Sequence, residues 1–248
     1  MYLGRNHKKV VPQPGIRKDA LMRPSNFHLS ELPHWHRPHA GEPRWPVTFV
    51  VTVVIVLQYL LPKSLSLKSQ PAICILEGAL ALALFAISPG RISKHRRSTW
   101  WTGIALTGVM TTSNIASAIH LLQRLIDGTI KSPASLLAFG GSVWLTNMVV
   151  FSLWYWEFDR GGPGARAEAF DPYPDFLFPQ MTDAKFSPPE WKPTYFDYLF
   201  TSYTNASAFS PTDVMPLTRW AKMLMMVQSA TSLVTVGLVI ARAVNILP

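Results

Sequence analysis

Hydrophobic residues in this chain are bunched into runs rather than spread at globular periodicity, and polar stretches separate the runs. The first run, Pro46 to Leu61, is PVTFVVTVVIVLQYLL, about 24 Å as a helix, with Trp45 and Tyr59 placed as interfacial anchors. Pro71 to Ile87 follows, opened by proline and stopped by Ser88-Pro89-Gly90. Trp100 to about Leu125 is rich in small and hydroxyl residues, the composition of a helix packed against other helices, and it is expected to be central. Pro133 to Trp156 is the fourth run, and the last, from about Leu217 to Leu247, is long enough to cross a bilayer with tilt.

Between the fourth and fifth runs, DRGGPGARAEAFDPYPDF reads as irregular loop. Tyr195 to Ala206 (YFDYLFTSYTNA) is a half-length amphipathic stretch, too short to span; a re-entrant helix and an interfacial helix both fit it. The expected fold is therefore all-α: a polytopic helical membrane protein of about five transmembrane helices, with a short re-entrant, pore-loop-like helix before the last. Residues 1–45 are expected to form a basic, His/Pro-rich disordered cytoplasmic tail without a signal peptide, and 46–156 a four-helix transmembrane region. An acidic Pro/Gly-rich loop would fill 157–194, and the re-entrant helix with the final span 195–248.

Composition sharpens this picture at three points. Only 15% of residues are charged, so each polar residue inside a run needs a reason. The single Cys, Cys74, excludes a disulfide framework and a Cys-based metal site within one chain. The net charge of +9 resides in the tail and the loop between the second and third runs, which suits membrane topology rather than nucleic acid. Basic residues before the first run and at Arg91, Lys94, Arg96 and Arg97 place the N-terminus inside.

Glu77, in the second run, is the one intramembrane acid; it is a functional carboxyl or a protonated group hydrogen-bonded to the third span. In the third, Ser113, Ser117, His120 and Arg124 share a helical face beside Thr107, Thr111 and Asn114; they line a hydrated path or bond neighbouring helices. In the last, Gln228, Thr231, Ser232 and Thr235 form a polar stripe ended by Arg242 and Asn245, which face a pore or a neighbouring helix. Glu157, Asp159 and Arg160 read as an interfacial charge cluster, and His34-x-His36 as part of a solvated tail rather than a metal pair. No cofactor, metal or catalytic motif is expected, and the chain is read as not an enzyme.

The segment Ser207-Ala-Phe-Ser-Pro-Thr-Asp213-Val-Met-Pro216-Leu-Thr218-Arg-Trp-Ala221-Lys222, with the span after it, resembles the pore module of tetrameric potassium channels. Asp213, Pro216, Thr218, Ala221 and Lys222 fall at the family's places, and Gly237 lies where an inner-helix hinge would be. The filter departs: Ala, Phe, Ser, Pro and Thr stand where the family has Thr-Val-Gly-Tyr-Gly. Side chains with a Cβ, and a proline without an amide, oppose the usual carbonyl cage. The resemblance implies an ion pathway without potassium selectivity, lined by Thr204, Asn205, Ser207, Ser210, Thr212 and Asp213, in a homo-oligomer that is tetrameric by resemblance only. Alternatives are a non-conducting scaffold or accessory subunit, and a small proton-coupled carrier using Glu77. Over its whole length the chain is similar to a family of small bacterial five-span membrane proteins of unknown function, carried by Phe151-Ser-Leu-Trp-Tyr-Trp-Glu157-Phe-Asp159-Arg160-Gly-Gly-Pro163. That likeness implies the bacterial inner membrane. Five crossings put the loop on the N-terminal side, whereas potassium channels insert theirs from outside.

Overall fold

The structure, a computed structural model, describes residues 33–61, 66–183, 185, 188–207 and 213–246. Its helices are α1 (Trp45–Leu60), α2 (Gln70–Ile87), α3 (Arg97–Ile126), α4 (Pro133–Phe158), α5 (Pro163–Ala167), α6 (Pro179–Thr182), α7 (Tyr195–Ser207) and α8 (Arg219–Ile246). Two small antiparallel pairs, β1 (Glu42–Pro43) with β2 (Arg91–Ile92) and β3 (Phe176–Leu177) with β4 (Met215–Pro216), and 3-10 turns at His34–His36 and Asp159–Gly161 complete the described elements. Four helices, α2, α3, α4 and α8, are long and apolar enough to cross a membrane, and α1 is a shorter apolar helix of 16 residues. The chain is thus an all-helical protein of membrane-protein character.

Proline at the first turn starts α1, α2 and α4, where its missing N–H has no helical partner to lose. Contacts at the helix ends fix their directions. Arg44, just before α1, donates from Nη1 to the carbonyls of Leu84 (2.7 Å) and Ser88 (3.1 Å) at the end of α2. At the opposite end Gln70 Nε2 donates to Gln58 Oε1 (2.7 Å), joining the start of α2 to the end of α1. Arg242, near the end of α8, donates to the carbonyls of Gly128 and Ile130 between α3 and α4. Hence α1, α3 and α8 run one way and α2 and α4 the other.

The central helix is α4 and not, as composition suggested, the third span. Of the most apolar window, 67% is buried in α4 but 33% in α3, because α4 packs against α1, α3, α7 and α8 together. Small residues in α3 instead admit single large groups: a Cβ on Gly103 would collide with the Glu157 carboxylate.

Helix α7 starts beside the C-terminal end of α4, where Tyr198 meets Asp159, and ends where Trp144 Nε1 donates to the Ala206 carbonyl (3.4 Å). Asp159 and Trp144 are 15 positions apart, about 22 Å along the helix, so α7 follows only the C-terminal half or so of α4. By Met215 the chain is back at the starting end, because β4 pairs with β3 and Leu217 N donates to the Asp175 carbonyl (2.8 Å). From there α8 runs the full length of α4.

Candidate functional site

Two buried polar regions meet along α4. The first lies at its C-terminal end. The segment after Phe158 turns sharply: Asp159–Gly161 forms a single 3-10 turn with Arg160 at φ 52°, and Gly162, at φ 94°, presses where a Cβ would meet the Glu157 carbonyl at 2.8 Å. The turn folds α5 back under α4 and carries Arg166 inside. Its guanidinium grips Glu42 through Nε–Oε1 (2.8 Å) and Nη2–Oε2 (3.1 Å), and Nη1 donates to the carbonyls of Trp156 and Asp159. Burial alone would lower the Arg166 pKa, but the facing Glu42 carboxylate overrides it and raises the pKa. Trp156 Nε1 adds a 2.6 Å bond to Glu42 Oε2.

Asp159, fully buried, accepts from the Tyr198 hydroxyl (2.6 Å) and from the amides of Asp175 (2.8 Å) and Phe176 (3.3 Å). Asp175 in turn accepts from the Arg160 amide and Trp220 Nε1, while Arg160 reaches the carbonyls of Asp171 and Trp35 and lies over the Trp35 ring. This hub joins the segment before α1, the end of α4, the loop after it, α7 and the start of α8.

The charge cluster of Glu157, Asp159 and Arg160 is buried within the protein, with Asp159 and Arg160 at 0% and 1% exposure. Of the tail expected over 1–45, residues 33–45 are described, and there Glu42 is a structural counter-ion and β1 pairs with β2; residues 1–32 lie outside the described residues. His36 hydrogen-bonds the Pro172 carbonyl (3.0 Å), and the side chain of His34 is outside the described part. His39 accepts the Gly41 amide at Nδ1, and burial with Lys192 nearby holds its pKa down at about 4.

The second region is a seam halfway along α4, between α4, α7 and α8. Gln228, fully buried, is its centre: Oε1 accepts from the Tyr155 hydroxyl (2.5 Å) and Asn205 Nδ2 (2.8 Å), and Nε2 donates to the carbonyl and hydroxyl of Ser202. Asn205 also donates to the Met225 carbonyl and accepts from Ser229 Oγ, Ser202 Oγ donates to the Met148 carbonyl, and Asn147 Nδ2 donates to Ser232 Oγ. A buried amide has two donors and two acceptor positions, and Gln228 uses all four.

The seam brings together Asn205, Gln228 and Ser232 from the residues singled out in the sequence. Thr204, Ser207, Thr231 and Thr235 bond backward to carbonyls of their own helices. Asp213 is exposed at the hub end, and Ser210 and Thr212 lie outside the described residues. On α3, Ser113 and Asn114 are buried, with Ser113 Oγ and Asn114 Oδ1 unpartnered; Ser117 is half-buried, and His120 Nε2 accepts from Arg124 (3.3 Å). Glu77 is fully buried between α2 and α1, facing Gln58; neither carboxylate oxygen has a hydrogen bond of ordinary geometry, and neither does Gln58 Nε2. No group of three or more metal-ligating side chains occurs among the described residues.

Sequence reasoning missed Glu42, Arg166, Tyr198, Asp175, Tyr155 and Ser202. A signal existed for some of them: Glu157-Phe-Asp159-Arg160 closes an otherwise apolar helix without a break, and Arg166 follows within two turns. Comparison with family models, curated proteins and solved structures finds no match.

Proposed function

We propose that the protein crosses the membrane five times, that α7 and the return to β4 form a re-entrant hairpin, and that it serves as a non-conducting scaffold or accessory subunit. Supporting five crossings is the strict alternation of helix direction, in which α1 takes part despite its length. Supporting re-entry is that α7 enters and the chain leaves at the same end, with α7 reaching about half the depth of α4. Arg44, Arg91, Lys94, Arg96, Arg97, Arg160 and Arg166 lie at that end, against Lys68, Arg124, Lys131 and Arg242 at the other. The basic excess supports the reading that the hub faces the cytoplasm from a bacterial inner membrane.

The non-conducting reading is carried by the closed seam. Asn205, Gln228 and Ser232, polar side chains that a channel would turn toward water, are taken up by seam partners within a single chain, and the outward faces of α7 and α8 carry Phe196, Phe200, Met223, Met226, Leu233 and Val234. Purified protein in liposomes is expected to pass K⁺, Na⁺ and Cl⁻ no faster than empty liposomes do. Flux that falls on Asp213→Asn would establish the ion pathway instead. For the topology, cysteines at Tyr173 and Thr129, with Cys74 replaced by Ala, are expected to react with an impermeant thiol reagent from opposite sides. Labelling from one side would remove a crossing.

One observation favours a second reading. A buried carboxyl with both oxygens unpartnered is what a proton-coupled carrier needs, and Glu77 has that environment. Proton-driven uptake abolished by Glu77→Gln would support the carrier, and uptake insensitive to that change would exclude Glu77 from coupling.

A further inference from the structure

At the hub end, beside the start of α3, a small pocket is lined by Arg44, Lys94, Arg96, Thr99, Trp100 and Glu157, with Ile92, His95, Pro163 and Gly164 completing the wall. Its volume is about 20 Å³, room for a single oxygen-sized group, and the exposed residues 93–97 form its mouth. Two hydrogen-bond donors are stranded there. Thr99 Oγ1 belongs to a residue only 8% exposed, Trp100 Nε1 is likewise buried, and neither has a partner. No side chain caps α3, so its first-turn amides lack a side-chain partner, and the positive end of a 30-residue helix lies beside the pocket.

Arg44, Lys94 and Arg96 contribute positive charge to the wall against the one carboxylate of Glu157; Glu168, nearby, already accepts the His95 amide (3.1 Å). Stranded donors, free amides and a net positive wall all seek an acceptor carrying negative charge. We propose that this pocket takes one oxygen of a phosphate group, the remainder of the group lying at the mouth among Lys94, His95 and Arg96. Given the membrane placement proposed above, the expected source is the headgroup of an anionic phospholipid in the leaflet facing the hub. Free phosphate has the same chemistry and is separated by experiment.

The test is thermal unfolding of the full chain in detergent, titrated with phosphatidylglycerol, with phosphatidylcholine and with inorganic phosphate. Phosphatidylglycerol should raise the melting temperature. Thr99→Val and Trp100→Phe should each shift its titration midpoint about fivefold upward, the effect of one hydrogen bond, while the control Lys131→Gln, at the opposite end of the helices, shifts it less than twofold. Without lipid, Thr99→Val should melt no lower than the parent, since it removes a buried hydroxyl that has no partner. A response to inorganic phosphate with the same Thr99 dependence supports the site and assigns it to a soluble phosphate. Equal responses to both lipids, or midpoints unmoved by Thr99→Val and Trp100→Phe alike, would overturn the proposal and leave a bound water as the occupant.

Discussion

The seam around Gln228, between α4, α7 and α8, and the half built from α1, α2 and α3 treat buried polar groups in opposite ways. Around Gln228 each amide and hydroxyl of the seam finds a partner on a neighbouring helix. Across α1 to α3, Gln58 Nε2, both oxygens of Glu77, Thr99 Oγ1, Trp100 Nε1, Ser113 Oγ and Asn114 Oδ1 are buried without one. A closed network specifies one packing, whereas stranded groups cost free energy and are tolerated where something else meets them. The closed seam thus lies in the segment from which a pore-like module was expected, and the half with no motif holds the groups left to meet a proton, a headgroup or a neighbour.

The comparison is broken most severely at the hub that joins the halves. Glu42→Gln or Arg166→Met should each destabilise the protein by about 3 to 5 kcal/mol, because either leaves a buried charge unpaired. Replacing both together should cost less than the two single losses summed. Thermal unfolding in detergent checks this, and additive losses would deny the pairing. Within the seam, Gln228→Leu should cost about 1 to 2 kcal/mol, and a double-mutant cycle with Tyr155→Phe should show coupling between the two.

A contrast follows from Glu77. Glu77→Gln should leave stability unchanged or raise it, since the amide keeps an oxygen facing Gln58 Nε2 and carries no ionisable group to bury. A loss as large as that of Gln228→Leu would show that the two halves are not different in kind. A further effect concerns pH. His39, held near 4 when folded, stays neutral while the unfolded chain takes up a proton around 6.5. Its contribution to stability is therefore intact above about pH 7 and declines as pH falls toward 4. His39→Asn should flatten that slope in unfolding measurements across the interval.

Helix positions were legible in the sequence because apolar runs of bilayer length have no other stable use. The half-length of the stretch at 195–206 was legible for the same reason. Which helix is central was not. Small residues in α3 suggested close packing, yet α4 won the centre through bulky Phe139, Tyr155 and Trp156, which contact several neighbours at once. The hub was hidden because its parts are far apart in the chain: Glu42 and Arg166 are separated by 124 positions, and local composition marks both segments as loop. Gln228 stands out in the sequence as a polar residue at helical spacing, and Asn205 as a residue of the pore-like segment. Spacing gives a face but not what the face meets, and only the path of α7 decides that they meet each other.

The claim on which the account rests is that the seam touches no water. In a chain with Cys74 replaced by Ala, Ser202→Cys and Ser232→Cys place near-isosteric thiols at its centre, at 0% and 1% exposure in the parent residues. Membrane-embedded protein carrying either thiol should resist a charged methanethiosulfonate reagent from both sides, while Tyr173→Cys in the exposed loop reacts readily. Modification of either seam thiol at a rate close to that of the loop thiol would contradict the account and reveal a hydrated path between α4, α7 and α8.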